Sequence, residues 1–251
     1  MLATIWFLLV GVLFTGYVML DGFDLGVGVL SLFAKNEDER RICMKAIGPV
    51  WDGNEVWLLT AGGALFAAFP PVYATAFEGF YLALMLVLAA LIFRAVSIEF
   101  YGKVDSPGWR RAWGLAFGIG SLLAALLFGV AAGNVVRGIP INEDFMFTGT
   151  FVGLLNPYSL VVGAATLVLL TAHGASYMTL KTEGELRERM GRWALGGFVA
   201  FLALFAVGYL WTLTGAVWRG EGGAWRSVYK LHLVTPVVVA LVSANLLRLL
   251  K

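Results

Sequence analysis

The sequence has 251 residues, of which 60% are hydrophobic and only 14% charged, where a soluble domain is about one quarter charged. With a mean hydropathy of +0.83 the expected solvent is lipid, and a net charge of +2 with basic residues spread over short loops excludes a nucleic-acid surface. A lone Cys43 without a Cys-x-x-Cys neighbour excludes a disulfide-stapled fold, a structural zinc site and covalently anchored haem.

A helix that crosses a hydrocarbon core of about 30 Å needs roughly 20 apolar residues, and seven segments meet that requirement. The first, 3–33, follows an N-terminus that lacks the basic region and cleavage site of a signal peptide, so it reads as a spanning helix. A loop with Lys35, Arg40, Arg41 and Lys45 follows, then a second span over 50–69. Pro70-Pro71 favours a turn before the third span, 73–98, and a loop with Lys103, Arg110 and Arg111 leads to the fourth, 112–136. After Arg137, Asn156-Pro157 reads as a cap and first turn of the fifth span, 157–177. The run from Lys181 to Arg192, with Glu183, Glu185 and Glu188, reads as a solvated loop and as the hinge between helix groups. The sixth and seventh spans cover 193–217 and 228–250.

The expected fold is therefore an all-α integral membrane protein of about seven transmembrane helices, a first four-helix bundle plus an incomplete second one. One multi-pass domain covers 1–251, with 1–136 as the first group and 150–251 as the remainder. Basic residues stay on the cytoplasmic side, which puts the N-terminus outside and the C-terminus, with Arg248 and Lys251, inside. The loop with Arg219, Arg226 and Lys230 fits this alternation poorly.

Ionisable side chains inside a membrane cost on the order of 2.5–3.5 kcal/mol each on insertion scales, so each needs a partner or a function. Asp21 and Asp24 are three apart on one helix and share a face. Gly22, Gly26 and Gly28 beside them allow a second helix to approach closely. Asp52 and Glu55 open the second span, where a helix N-terminus favours anions, and Arg94 and Glu99 close the third. The six groups are expected to gather at the inner end of one bundle. Five acids against one Arg cannot be settled by ion pairing alone, and protonatable groups set in from an aqueous face suit a proton path. A purely structural charged cap is the plainer alternative. His173 and His232 are weak haem-ligand candidates, since a lone membrane histidine is more often a hydrogen-bonded packing residue.

These residues sit in long motifs: Asp21-Gly-Phe-Asp-Leu-Gly-Val-Gly, Trp51-Asp-Gly-Asn-Glu-Val-Trp running to Pro70, Glu78-Gly-Phe-Tyr, Phe93-Arg94, Leu154-Leu-Asn-Pro-Tyr and Thr171-Ala-His-Gly-Ala. Together they resemble subunit II of cytochrome bd-type quinol oxidases over the first two thirds of the chain. The resemblance implies a subunit of an enzyme in the bacterial or archaeal cytoplasmic membrane that oxidises quinol, reduces oxygen to water and generates a proton-motive force. It implies haem b and haem d on a partner subunit I, no firm cofactor on this chain, and no metal site or catalytic residue here. Subunit I is the implied partner, with a small single-helix subunit and membrane lipid or quinone as further ones. The implied role of this chain is to stabilise subunit I and supply a cytoplasmic proton path, with Asp21, Asp24, Asp52 and Arg94 on the family positions. Family members have two four-helix groups and a further helix, so seven spans imply a short form or an incomplete chain. A proton-coupled membrane transporter is the rival reading, because intramembrane acids with an Arg also mark transport paths; it predicts inverted repeats and helices broken at the midplane, and neither is visible.

Overall fold

A computed structural model describes residues 1–213. The seventh expected span, the end of the sixth, and His232, Arg219, Arg226, Lys230, Arg248 and Lys251 lie outside the described residues. Among the described residues nine helices follow in order: α1 Leu2–Ser31, α2 Glu37–Ile47, α3 Trp51–Ala68, α4 Pro70–Gly79, α5 Tyr81–Phe100, α6 Pro107–Arg137, α7 Phe151–Leu154, α8 Pro157–Lys181 and α9 Gly184–Leu213. Five of them, α1, α5, α6, α8 and α9, are long and apolar enough to cross a membrane. Their apolar residues occupy the whole circumference, the pattern of a helix surrounded by lipid or by other helices.

Sequence chemistry sets most of the boundaries. Pro70 occupies the first turn of α4, and Phe69 between α3 and α4 has non-helical angles (φ −137°, ψ 62°), because proline excludes the α conformation from the residue before it. Asn156 caps α8 by accepting from the Ser159 N–H at 3.0 Å, with Pro157 following. Asn36 caps α2 in the same way through the Glu39 N–H at 2.9 Å, ahead of three acids in the first turn that favour the positive end of the helix dipole.

Three expectations are corrected. The charged stretch after α1 is not a loop: 37–47 is the amphipathic helix α2, which buries Cys43, Met44 and Ile47. The third expected span is two helices, since the chain breaks at Phe80 (φ −99°, ψ 14°) between α4 and α5. The charged run 184–192 is not a hinge loop but the opening turns of α9, entered through Gly184 at φ +60°, a left-handed conformation that glycine adopts without steric penalty. The second expected span does appear as α3, but its polar opening of Asp52, Asn54 and Glu55 keeps it outside the five most apolar helices.

Helix α1 is central and packs on α3, α6 and α8, while α6 also packs on α5 and α8, and α8 on α9. Between helices in lipid the driving force is close packing rather than hydrophobic exclusion, and here backbones touch. A side chain on Gly174 of α8 would come within 2.5 Å of the Gly26 carbonyl carbon and the Val27 nitrogen of α1. One end of the bundle gathers the charges, through Lys35–Glu185, Arg189–Glu39 and Arg110–Glu37. The other end is closed by the segment 138–150, the longest non-helical stretch among the described residues. It folds back as a short antiparallel turn between Ile141 and Phe147. Thr75 of α4 donates to the Phe145 carbonyl at 2.8 Å, and the Glu78 carboxylate accepts from the Phe147 N–H at 3.2 Å. Among the described residues, Arg137 is the one basic side chain that lies toward this end.

Candidate functional site: a buried guanidinium among carboxyls

Arg94 lies on α5, six residues before its end, so its backbone is about 9 Å inside the helix terminus at 1.5 Å per residue. Asp21 is ten residues before the end of α1, about 15 Å in, and Glu55 four residues after the start of α3, about 6 Å in. Helix crossing brings the three together. Arg94 Nη2 donates to Asp21 Oδ1 at 2.7 Å and Nη1 to Asp21 Oδ2 at 3.3 Å, a fork-on-fork pair. Nη1 also donates to Glu55 Oε1 at 2.7 Å. The Arg94 and Asp21 side chains are 0% exposed and that of Glu55 is 24% exposed. Glu55 is thus the member that reaches the surface.

One turn along α1, Asp24 is also 0% exposed. Its Oδ2 accepts from Asn54 Nδ2 at 2.7 Å, and the same amide nitrogen donates to the Leu20 carbonyl at 3.2 Å. Asn54 therefore ties the opening of α3 to α1 at the level of the acids. Such buried charges are desolvated, and only good geometry with further hydrogen bonds offsets that cost. The fork supplies such geometry for Asp21, and Asn54 for one oxygen of Asp24.

Of the six groups expected to gather, the structure brings Asp21, Glu55 and Arg94 into direct contact and sets Asp24 beside them. Asp52 and Glu99 are exposed and stand outside the contacts. The reason is helical phase. Asn54 is 200° from Asp52 at 100° per residue, so the turn of α3 that presents Asn54 to α1 turns Asp52 outward; Glu99 is 140° round α5 from Arg94. The sequence reading missed Asn54 and Tyr17. Tyr17 is buried at 4% exposure one turn before Asp21, and the four-residue step onto the acidic face was the signal that could have found it.

His173 is half-buried on α8. Its Nε2 lies 3.0 Å from the Met19 carbonyl oxygen of α1; a carbonyl only accepts, so Nε2 carries the proton and donates. The ring meets Phe23 edge-on at 5.8 Å. In this arrangement the nitrogen that a haem iron would need is occupied by an α1–α8 contact. No group of three or more His, Cys, Asp or Glu residues with metal-holding geometry occurs among the described residues.

A family model described as "Cytochrome bd terminal oxidase subunit II" matches residues 2–251. Subunit 2 of the cytochrome bd-I ubiquinol oxidase of Escherichia coli strain K12 is 46% identical over 216 residues, covering 84% of this chain and 57% of that one. A probable cytochrome oxidase subunit 2 of Haemophilus influenzae is 45% identical over 212 residues, 82% of this chain and 56% of its own. Subunit 2 of the Bacillus subtilis cytochrome bd ubiquinol oxidase is 43% identical over 208 residues, 81% and 62% of the two chains. The chain thus spans somewhat over half the length of these relatives. Among solved structures, the bd oxidase from Geobacillus thermodenitrificans gives a TM-score of 0.63 over 95% of this chain and 76% of that one, at 16% identity, a likeness of fold.

Proposed function

This chain belongs to the cytochrome bd terminal oxidase subunit II family, and from that premise we propose that it works as the second membrane subunit of an enzyme that oxidises quinol and reduces oxygen to water, with cytoplasmic protons entering through its buried carboxyls. The observation that carries the proton path is the Arg94 fork. One fixed guanidinium faces Asp21 and Glu55, with Asp24 a turn away, so the carboxyls outnumber the cation in a largely buried site. Groups that can exchange protons run from the partly exposed Glu55 to the fully buried Asp21 on the same guanidinium, and so form a path inward from the surface. Asp52, exposed at the mouth of α3, is the entry group of this path, and Glu99 is an outlying acid at the same end.

Haem b and haem d belong, in this proposal, to a partner subunit I, which supplies the oxygen and quinol redox chemistry. This chain stabilises that subunit and passes protons toward it; the engagement of His173 Nε2 by Met19 supports assigning the haems elsewhere. The membrane is the cytoplasmic one, with seven spans in two groups, 1–136 and 150–251, the N-terminus outside and the C-terminus inside. The gathering of Lys and Arg at the α1–α2, α5–α6 and α8–α9 end supports that direction. A small single-helix subunit and bound lipid or quinone complete the assembly.

Affinity purification of the full chain from its own membranes, followed by a reduced-minus-oxidised spectrum, tests the proposal. Haem b and d bands that co-elute with a second large subunit are expected. Purification of an active, proton-moving protein without those bands would replace the oxidase reading by the transporter one.

A further inference from the structure

A polar seam runs along one face of α1. Tyr17, Asp21 and Asp24 follow at steps of four and three residues and so line one side of the helix, and all three are buried, at 4%, 0% and 0% exposure. Both oxygens of Asp21 are taken by the Arg94 fork and one oxygen of Asp24 by Asn54. Three atoms of the seam have no hydrogen-bond partner in the protein: Tyr17 Oη, Asp24 Oδ1 and Arg94 Nε. They share one neighbourhood, because Asp21 lies between Tyr17 and Asp24 on the same face of α1 and Arg94 is bound to Asp21.

Buried polar atoms almost always have a partner, from protein or from ordered water. The character of these three selects the ligand. A carboxylate oxygen only accepts, a guanidinium N–H only donates, and a phenol does both. A bound anion would face the carboxylates, a bound metal cation would face the guanidinium, and an apolar molecule would leave all three atoms unpaired. Water, which donates and accepts and needs two to four polar partners, suits the whole set. We infer that Tyr17 Oη, Asp24 Oδ1 and Arg94 Nε hold internal water between α1 and α5, and that this water joins Asp24 to the Asp21–Arg94 pair in one hydrogen-bonded network.

This inference deepens the proton-path proposal and rests on it for its use, though not for its existence. Both oxygens of Asp21 are held by Arg94 and one oxygen of Asp24 by Asn54, with no direct bond between the two acids, so a proton passes between them through an intermediate O–H. At each transfer one O–H bond of the water breaks as a carboxyl O–H forms, and the water regains a proton from the acid nearer the cytoplasm. Tyr17 acts through that water and is a positioning residue.

The test uses the assembled oxidase with its full-length chain, as wild type and as Tyr17→Phe, which keeps the ring and its edge-on contact with Phe128 at 5.6 Å. A high-resolution map and the infrared bands that shift in H2(18)O report internal water directly. Wild type is expected to show ordered water within hydrogen-bond reach of at least two of the three atoms. Tyr17→Phe is expected to lose or displace it, with haem content unchanged and proton uptake slowed about two- to tenfold, the effect of one net hydrogen bond. A wild-type map with no water at these atoms, or an unchanged isotope-sensitive band in Tyr17→Phe, overturns the inference. The proton path fails separately: if Asp21→Asn keeps wild-type uptake, the path is wrong while water at Tyr17 stands.

Discussion

Replacing Arg94 by leucine removes three hydrogen bonds at once, two to Asp21 at 2.7 and 3.3 Å and one to Glu55 at 2.7 Å. With both the Arg94 and the Asp21 side chains 0% exposed, bulk solvent does not reach the site, and the carboxylate of Asp21 is left without its counter-charge. Removing one member of a buried pair costs about 3–5 kcal/mol, a large share of the roughly 5–15 kcal/mol by which folded domains are stable. Arg94→Leu should therefore reduce the amount of assembled oxidase and its haem content. Neutralising the stranded acid should restore part of the loss: the double variant Asp21→Asn with Arg94→Leu is expected to be more stable than the sum of the single effects predicts, by roughly 1–3 kcal/mol of coupling. Thermal or detergent-titration midpoints of the purified complex, with haem content as the index of assembly, measure both quantities. Strict additivity, or an Arg94→Leu variant within about 0.5 kcal/mol of wild type, would show that the fork does not hold the bundle.

At the α1–α8 crossing, Gly26→Ala should lower stability by about 1–3 kcal/mol, whereas Gly196→Ala, where nothing lies within 4 Å, should be near neutral; midpoints of thermal unfolding compare them. Glu39 accepts from the Lys35 N–H at 2.8 Å and from Arg189, and although burial opposes it, these partners hold its carboxyl below the ordinary range. Its contribution is thus present above the unfolded carboxyl pKa of about 4.3 and disappears as pH falls through the lower folded value, so Glu39→Gln should destabilise at pH 7 and match wild type in strong acid. Burial pushes the Cys43 thiol up to about 12, so at pH 8 a maleimide should label it only after unfolding. That silence leaves the natural chain usable for topology: a cysteine at Asn142 should label from outside and one at Arg187 from inside, and the reverse pattern would invert the proposed orientation.

The legible parts of this molecule were those written as local chemistry. Among the described residues, long apolar runs marked the spanning helices, Asn156-Pro157 the start of α8 and Pro70-Pro71 the break between α3 and α4, because proline and asparagine act on their own neighbours. Asn36 and the acids at 37–39 announce helix α2, but its charge masks the buried stripe of Cys43, Met44 and Ile47. The charges of 185–192 mask the opening of α9 in the same way. At the site, Asp21 and Arg94 were legible as charges that lipid cannot accept. Which of Asp52, Asn54 and Glu55 turned inward was not, because that depends on the rotation of α3 against α1, a tertiary quantity that the motif does not encode.

Helix α9 is continuous from its charged head into the membrane, 30 residues, or about 45 Å. Its head is fastened by Lys35–Glu185 and Glu39–Arg189, and its far end by the hydroxyl pair Tyr158–Thr212 at 2.9 Å. A rod pinned at its head and again at Thr212 behaves as a strut: between those points it cannot tilt or slide along α8 without releasing one fastening. Salt weakens the exposed Lys35–Glu185 pair, while the hydroxyl pin is indifferent to ionic strength. Stiffness against shear in this part of the bundle is therefore set by solution conditions at one face of the membrane and by a buried contact at the other.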